Sequence, residues 1–167
     1  MIDLKADCSQ CAALCCMALA LDKGERFAID KPAGLPCPML EGHGCSIHKE
    51  LGEKGFQGCV DYDCLGAGQR VTQEVFRGGS WQETPKLARP MIMAFAGMRA
   101  IHARIELLQA AGALPLSESD EAIRVAHLGK LSAPLEAEIV SAFPESRAEA
   151  AIDAFVRSLR RYVPQRG

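Results

Sequence analysis

Every cysteine of this 167-residue chain lies in its first 64 residues: Cys8, Cys11, Cys15, Cys16, Cys37, Cys45, Cys59 and Cys64. A set so confined must serve one local purpose: disulfides, metal or reactive thiols. The N-terminal segment carries acids at Asp3 and Asp7 and no apolar h-region, so no secretory signal is expected. The apolar run at residues 11–21 is too short to span a bilayer, and no other run is long enough. We therefore expect a cytoplasmic protein with no membrane partner. Thiols stay reduced in that compartment, which favours metal over disulfides.

Charge points the same way. Residues 1–64 hold six Lys/Arg against ten Asp/Glu, whereas residues 65–167 hold thirteen against eleven. Eight thiolates would deepen the acidity of the first part, and a divalent cation would relieve that repulsion and drive folding. The same acidity opposes a nucleic-acid role, which needs Lys and Arg to neutralise phosphates.

Three clusters make up the set. The first is Cys8-x2-Cys11-x3-Cys15-Cys16. Residues 9–21 contain strong helix formers and no Gly or Pro, which predicts a helix. At ~100° per residue, Cys8, Cys11 and Cys15 would share one face, with Cys16 about a quarter-turn away. The second cluster is Cys37-x7-Cys45, set among Pro36, Pro38, Gly42 and Gly44, with His43 and His48 beside it. A short helix is expected over residues 46–54, with Ile47, Leu51 and Phe56 as core anchors. The third is Cys59-x4-Cys64, flanked by Gly55, Gly58, Gly66 and Gly68, which allow close backbone approach. Four Cys or His ligands complete a zinc site, and four Cys a [4Fe–4S] cluster. Eight cysteines supply two sites, or one site and spare thiols. His48 is a further metal-ligand candidate. His43, in a loop between Gly42 and Gly44, is similar to His48, a ligand or a hydrogen-bonding neighbour, whereas His102 and His127 are expected to be packing or surface residues.

From residue 81 onward the pattern is helical, so the expected class is mainly α. A small irregular Cys-rich module (residues 1–80) would pack against an α-helical half (residues 81–167), as two domains or one integrated one. Thr84 followed by Pro85 signals a helix start, and Gly112 a stop. Met91, Phe95, Met98, Ile101, Ile105 and Leu108 recur at steps of three and four. Met91, Met93 and Met98 are expected in the core. Further helices are expected from Ser117 to about Lys130, after Pro134, and after Pro144. The last would present Ile152, Phe155, Val156 and Leu159 on one face. Arg157, Arg160, Arg161 and Arg166 suit a solvated helix end.

The vicinal Cys15-Cys16 behind two spaced cysteines, then Pro36-Cys37-Pro38-Met39-Leu40, then Cys45-Ser46-Ile47-His48, then Cys59, resemble the zinc- or iron-chelating CxxCxxCC family of bacteria. Residues 28–34 and 63–70 are also similar to the cysteine-rich N-terminal part of some bacterial pentapeptide-repeat proteins. The likeness covers roughly residues 8–75. It departs from the pattern at the three-residue gap between Cys11 and Cys15, at His48 where the family tends to have Tyr, and in lacking an Arg-Pro before the later cysteine. The resemblance implies metal binding.

The leading expectation is therefore a metal-binding protein with Cys-ligated sites and a helical domain for a protein partner, serving a structural or a metal- or redox-sensing role. Zinc is the expected metal because closed Cys-rich sites favour it; a [4Fe–4S] cluster is the alternative. The competing expectation is a metal- or Fe–S-dependent enzyme, with methyl transfer suggested by flagellin lysine methylases, which are wider relatives of that family. Its candidate groups are Cys16, Cys64, His48, Asp61, Asp63 and the loop at residues 66–70. No Gly-rich strand–turn–helix for S-adenosylmethionine is present.

Overall fold

The structure is a computed structural model that describes residues 2–163, so Arg166 lies outside the described residues. The fold is mainly α. In chain order the α-helices are α1 (Leu14–Ala18), α2 (Gln57–Asp61), α3 (Ala67–Arg70), α4 (Ala88–Ala111), α5 (Glu118–Ser132), α6 (Ala137–Ser141) and α7 (Arg147–Ser158). One antiparallel hairpin, β1 (Leu40–Glu41) and β2 (Gly44–Cys45), pairs Leu40 with Cys45. Among the described residues no helix is long and apolar enough to cross a membrane.

The helix α4 organises the rest. Its 24 residues span about 36 Å at 1.5 Å per residue. A 3-10 turn at Pro85–Leu87 starts it, and Pro90 falls in the first turn, where a missing N–H costs nothing. Gly112 ends it, as the sequence predicts. Met91, Phe95, Met98, Ile101, Ile105 and Leu108 are buried along one stripe, while Met93 departs from expectation and stands 48% exposed. Ser117 caps α5 by accepting from the Asp120 N–H, and Ser146 caps α7 by accepting from the Glu149 N–H. Arg104 on α4 forks onto Asp153 and also meets Glu149, tying α7 to the central helix. At Gly97 the α6 backbone comes so close that a Cβ would sit 1.8 Å from the Val140 carbonyl oxygen, so only glycine permits this crossing.

One apolar core runs through both parts of the chain. Ala12, Leu14, Ala67 and Val71 join Met91, Phe95 and Ile101 of α4 and Val140, Phe143 and Ile152 beyond it. The cysteine-rich part thus shares its core with the helices and does not fold around a separate one. Arg70, at the end of α3, is only 4% exposed. It donates to the Leu131 and Ala133 carbonyls at the C-terminus of α5 and pairs with Glu74, fastening the two regions together.

Candidate metal centre

The helix expected over residues 9–21 does not form as one piece. A 3-10 turn covers Cys8–Gln10, Ala13 adopts a left-handed conformation (φ 55°), and only α1 is regular. The cause is tertiary. The Ala12 N–H donates to Thr72 Oγ1 at 3.0 Å, and the Ala12 carbonyl accepts from the Trp81 indole at 2.7 Å. Both backbone groups of Ala12 are thereby withdrawn from any helical ladder. Cys8, Cys11 and Cys15 consequently do not share a helical stripe. The break instead turns the Leu14 N–H toward Cys11 Sγ at 3.5 Å, and an N–H aimed at sulfur stabilises a thiolate.

The vicinal pair is carried on α1, with the Cys15 and Cys16 sulfurs 4.0 Å apart. A loop is stitched alongside it. Leu21 and Lys31 exchange backbone hydrogen bonds at 2.8 Å, the Gly34 N–H reaches the Met17 carbonyl, and the Cys37 N–H reaches the Cys16 carbonyl at 3.0 Å. These bonds deliver Cys37 to the vicinal pair. Cys45 arrives on β2, an element that loop chemistry around Gly42 and Gly44 did not announce. The helix expected over residues 46–54 shrinks to a 3-10 turn at His48–Glu50, because the Ser46 N–H and hydroxyl both bond the Met39 carbonyl and hold the chain in the hairpin.

Cys59 sits in α2, and Cys64 precedes a left-handed pair, Leu65 (φ 51°) and Gly66 (φ 75°), that leads into α3. Gly68 on α3 lies against Cys11: a Cβ there would be 2.5 Å from its sulfur. The cradle is shaped for a sulfur and admits nothing larger.

The sulfurs influence one another across these segments. Burial raises the Cys8 thiol, and repulsion from Cys15, Cys64 and Asp7 adds to it. Burial pushes Cys11 to about 11, opposed by the Leu14 N–H and reinforced by Cys15 and Cys64. The Cys16 thiol, then burial, drive Cys15 far up. Burial raises Cys59, with Cys15, Cys37 and Cys45 as its charged neighbours. Cys15 and Cys64 act on Cys8 and Cys11, and Cys15, Cys37 and Cys45 act on Cys59, so Cys15 of the vicinal pair neighbours both groups. Without a cation Cys8, Cys11, Cys15 and Cys59 are held as neutral thiols. Among the described residues no group of three or more Cys, His, Asp or Glu side chains is placed to hold a metal ion. The donor chemistry nevertheless fits a soft or borderline metal, with no disulfide among the eight and an amide aimed at Cys11.

The other candidates have ordinary roles. His48 is exposed, and His43 bonds Ser80 Oγ at 2.9 Å. Asp61 forms an exposed ion pair with Arg26, and Asp63 accepts from the Leu65 N–H in a local turn. His127 stacks at a tilt on Phe155. His102 is fully buried between the Leu65 carbonyl, at 2.5 Å from Nδ1, and Arg70, at 3.3 Å from Nε2. Burial and the neighbouring Arg70 hold it neutral, down at about 4. A cleft of about 250 Å³ opens beside Gly66, but Gln69 and Gln73 on its wall are already bonded to backbone groups of the N-terminal segment. The residue that sequence reasoning missed is Lys31, 4% exposed beside the second cluster.

No protein-family model and no solved structure matches this chain. It is 43% identical over 117 residues to the uncharacterized protein YybG of Bacillus subtilis (strain 168). The matched region is 70% of this chain but 42% of that relative, so the chain spans less than half of its length.

Proposed function

We propose that the cysteine-rich part is a thiolate metal-binding module that takes metal through two sets of four. Cys8, Cys11, Cys15 and Cys64 make the first set, and Cys16, Cys37, Cys45 and Cys59 the second. The observation that carries this reading is the way the backbone brings cysteines from separate segments alongside one another: the Cys37 N–H bonds the Cys16 carbonyl at 3.0 Å, beside vicinal sulfurs 4.0 Å apart, and Gly68, four residues after Cys64, packs on Cys11 Sγ. The thiols stand as neighbours, so binding requires them to draw together around the ion, coupling metal uptake to local ordering. Zinc is the proposed metal and a [4Fe–4S] cluster the alternative; the role is structural, or senses metal or redox state. The helices serve as the scaffold that buries the module's apolar side. Their exposed Leu107, Ile123, Val125 and Ile139 support contact with a protein partner.

The test is purification without oxygen, followed by zinc, iron and acid-labile sulfide per chain and a visible spectrum. About two zinc ions and no colour is the expected result. Brown protein with about four irons and four sulfides would put the cluster in zinc's place. Metal-free protein with thiols oxidised in pairs would end the metal reading.

A further inference from the structure

Adjacent residues on a helix point about 100° apart and do not face each other. Cys15 and Cys16 both lie in α1, yet their thiols meet, with the sulfurs 4.0 Å apart. Among the described residues this is the one thiol–thiol hydrogen bond. The backbone beneath the pair is tied at both residues. The Cys15 carbonyl accepts from the Leu19 N–H at 3.3 Å, and the Cys16 carbonyl from the Cys37 N–H at 3.0 Å. Leu14 and Met17, on either side, are buried and anchor α1, while both cysteines stay partly exposed. The two sulfurs are therefore held together and can be reached.

A pair held this way resists disulfide formation and suits chelation. Consecutive Cα atoms are about 3.8 Å apart, short of the roughly 4.4–6.8 Å that a disulfide bridges. Bringing the sulfurs from 4.0 Å to about 2 Å would unwind α1. An atom bonded to both sulfurs asks far less. With bonds of about 2.3 Å meeting at about 100–110°, it holds them about 3.5–3.8 Å apart. The donor count then narrows the choice of atom. Zinc needs four donors, and among the described residues no group of three or more Cys, His, Asp or Glu is placed to hold an ion, so zinc has to draw in further ligands. Trivalent arsenic whose third bond is to carbon needs two sulfurs and no more.

We propose that Cys15 and Cys16 form a dithiol site for trivalent arsenicals. The site goes beyond the metal reading and needs no other cysteine. Binding is a condensation without redox change. An organoarsonous acid exchanges its two As–O bonds for two As–S bonds, each thiol proton leaves with one hydroxyl, and two waters are released. In the test, the full chain is reduced with a phosphine, freed of metal with chelator, and given one equivalent of phenylarsine oxide. Free thiols are then alkylated and mapped by peptide mass spectrometry, beside an arsenic-free sample. One arsenic per chain is expected, with Cys15 and Cys16 the two positions that lose alkylation when it is added. Protection of any other pair, or no arsenic bound, would overturn the proposal. Against a competing small dithiol, Cys16→Ser should release the arsenic at least about 100-fold more readily, the advantage of two linked donors over one. Cys37→Ser and Cys64→Ser should match the parent. Parental retention by Cys16→Ser, or equal weakening in all three variants, would refute the site. The mapping uses the unsubstituted chain, so it decides the matter even where a variant fails to fold.

Discussion

Replacing Gly68 by alanine separates the proposed metal chemistry from the packing. A Cβ at this position would lie 2.5 Å from Cys11 Sγ, 3.5 Å from Cys11 Cβ and 3.8 Å from Phe95 Cε2. Relaxed contacts between heavy atoms fall at about 3.5–4.0 Å, so the sulfur must retreat by roughly 1 Å while the other two contacts are tolerable. Metal–sulfur bonds hold their length to within about 0.2 Å, and a shift several times larger removes Cys11 from a shared ion. Zinc affinity of the first set should therefore fall at least about tenfold. Metal-free stability should change little. Overpacking costs about 1–3 kcal/mol, at the low end here because a side-chain terminus yields, and alanine recovers about 1 kcal/mol of helix propensity in α3. Gly129→Ala is the control: nothing lies within 4 Å of its added Cβ, so it should gain up to about 1 kcal/mol and leave zinc untouched. The assays are chelator competition and urea unfolding without metal. Parental zinc affinity in Gly68→Ala would refute a ligand role for Cys11.

Cys64→Ser should weaken one of two zinc ions and spare the other in the same competition; loss of both together would mean a single shared centre. Gly97→Ala drives a Cβ into the Val140 carbonyl, a backbone contact that cannot rotate away, and should cost about 3 kcal/mol or more in urea unfolding, with or without metal. Arg70→Met leaves the Leu131 and Ala133 carbonyls unmatched and should cost about 2–5 kcal/mol by the same assay. For His102 the sign is that of a depressed base. Above pH 6.5 both states are neutral and it adds no pH dependence. As pH falls from 6.5 to about 4 only the unfolded chain takes the proton, so stability declines by up to about 3 kcal/mol. His102→Gln should flatten that decline in urea midpoints measured between pH 7 and pH 4.5.

The sequence alone confined the eight thiols to residues 1–64, and eight thiols in an acidic segment raise the same question in any fold. Local signals were equally legible in the helices. Ser117, the Thr84-Pro85 start and Gly112 act within one helical turn, and the spacing of Phe95, Met98 and Ile105 reports a face directly. Met93 misled because methionine at a near-helical step does not state which side it occupies.

What the tertiary structure decided is whatever depends on bonds between distant residues. Residues 9–21 have every local mark of a helix, yet Thr72 and Trp81 capture the backbone of Ala12 and break it, and the break gives Cys11 its N–H contact. The same holds for Lys31, which reads as a surface charge in a loop until the Cys37–Cys16 and Gly34–Met17 bonds fold that loop against α1. Arg70 and His102 likewise become buried partners only when α3 meets α4 and α5. Periodicity and capping are written in neighbouring residues, whereas the grouping of sulfurs from separate segments is fixed by contacts whose partners lie dozens of residues away, and no local pattern encodes those.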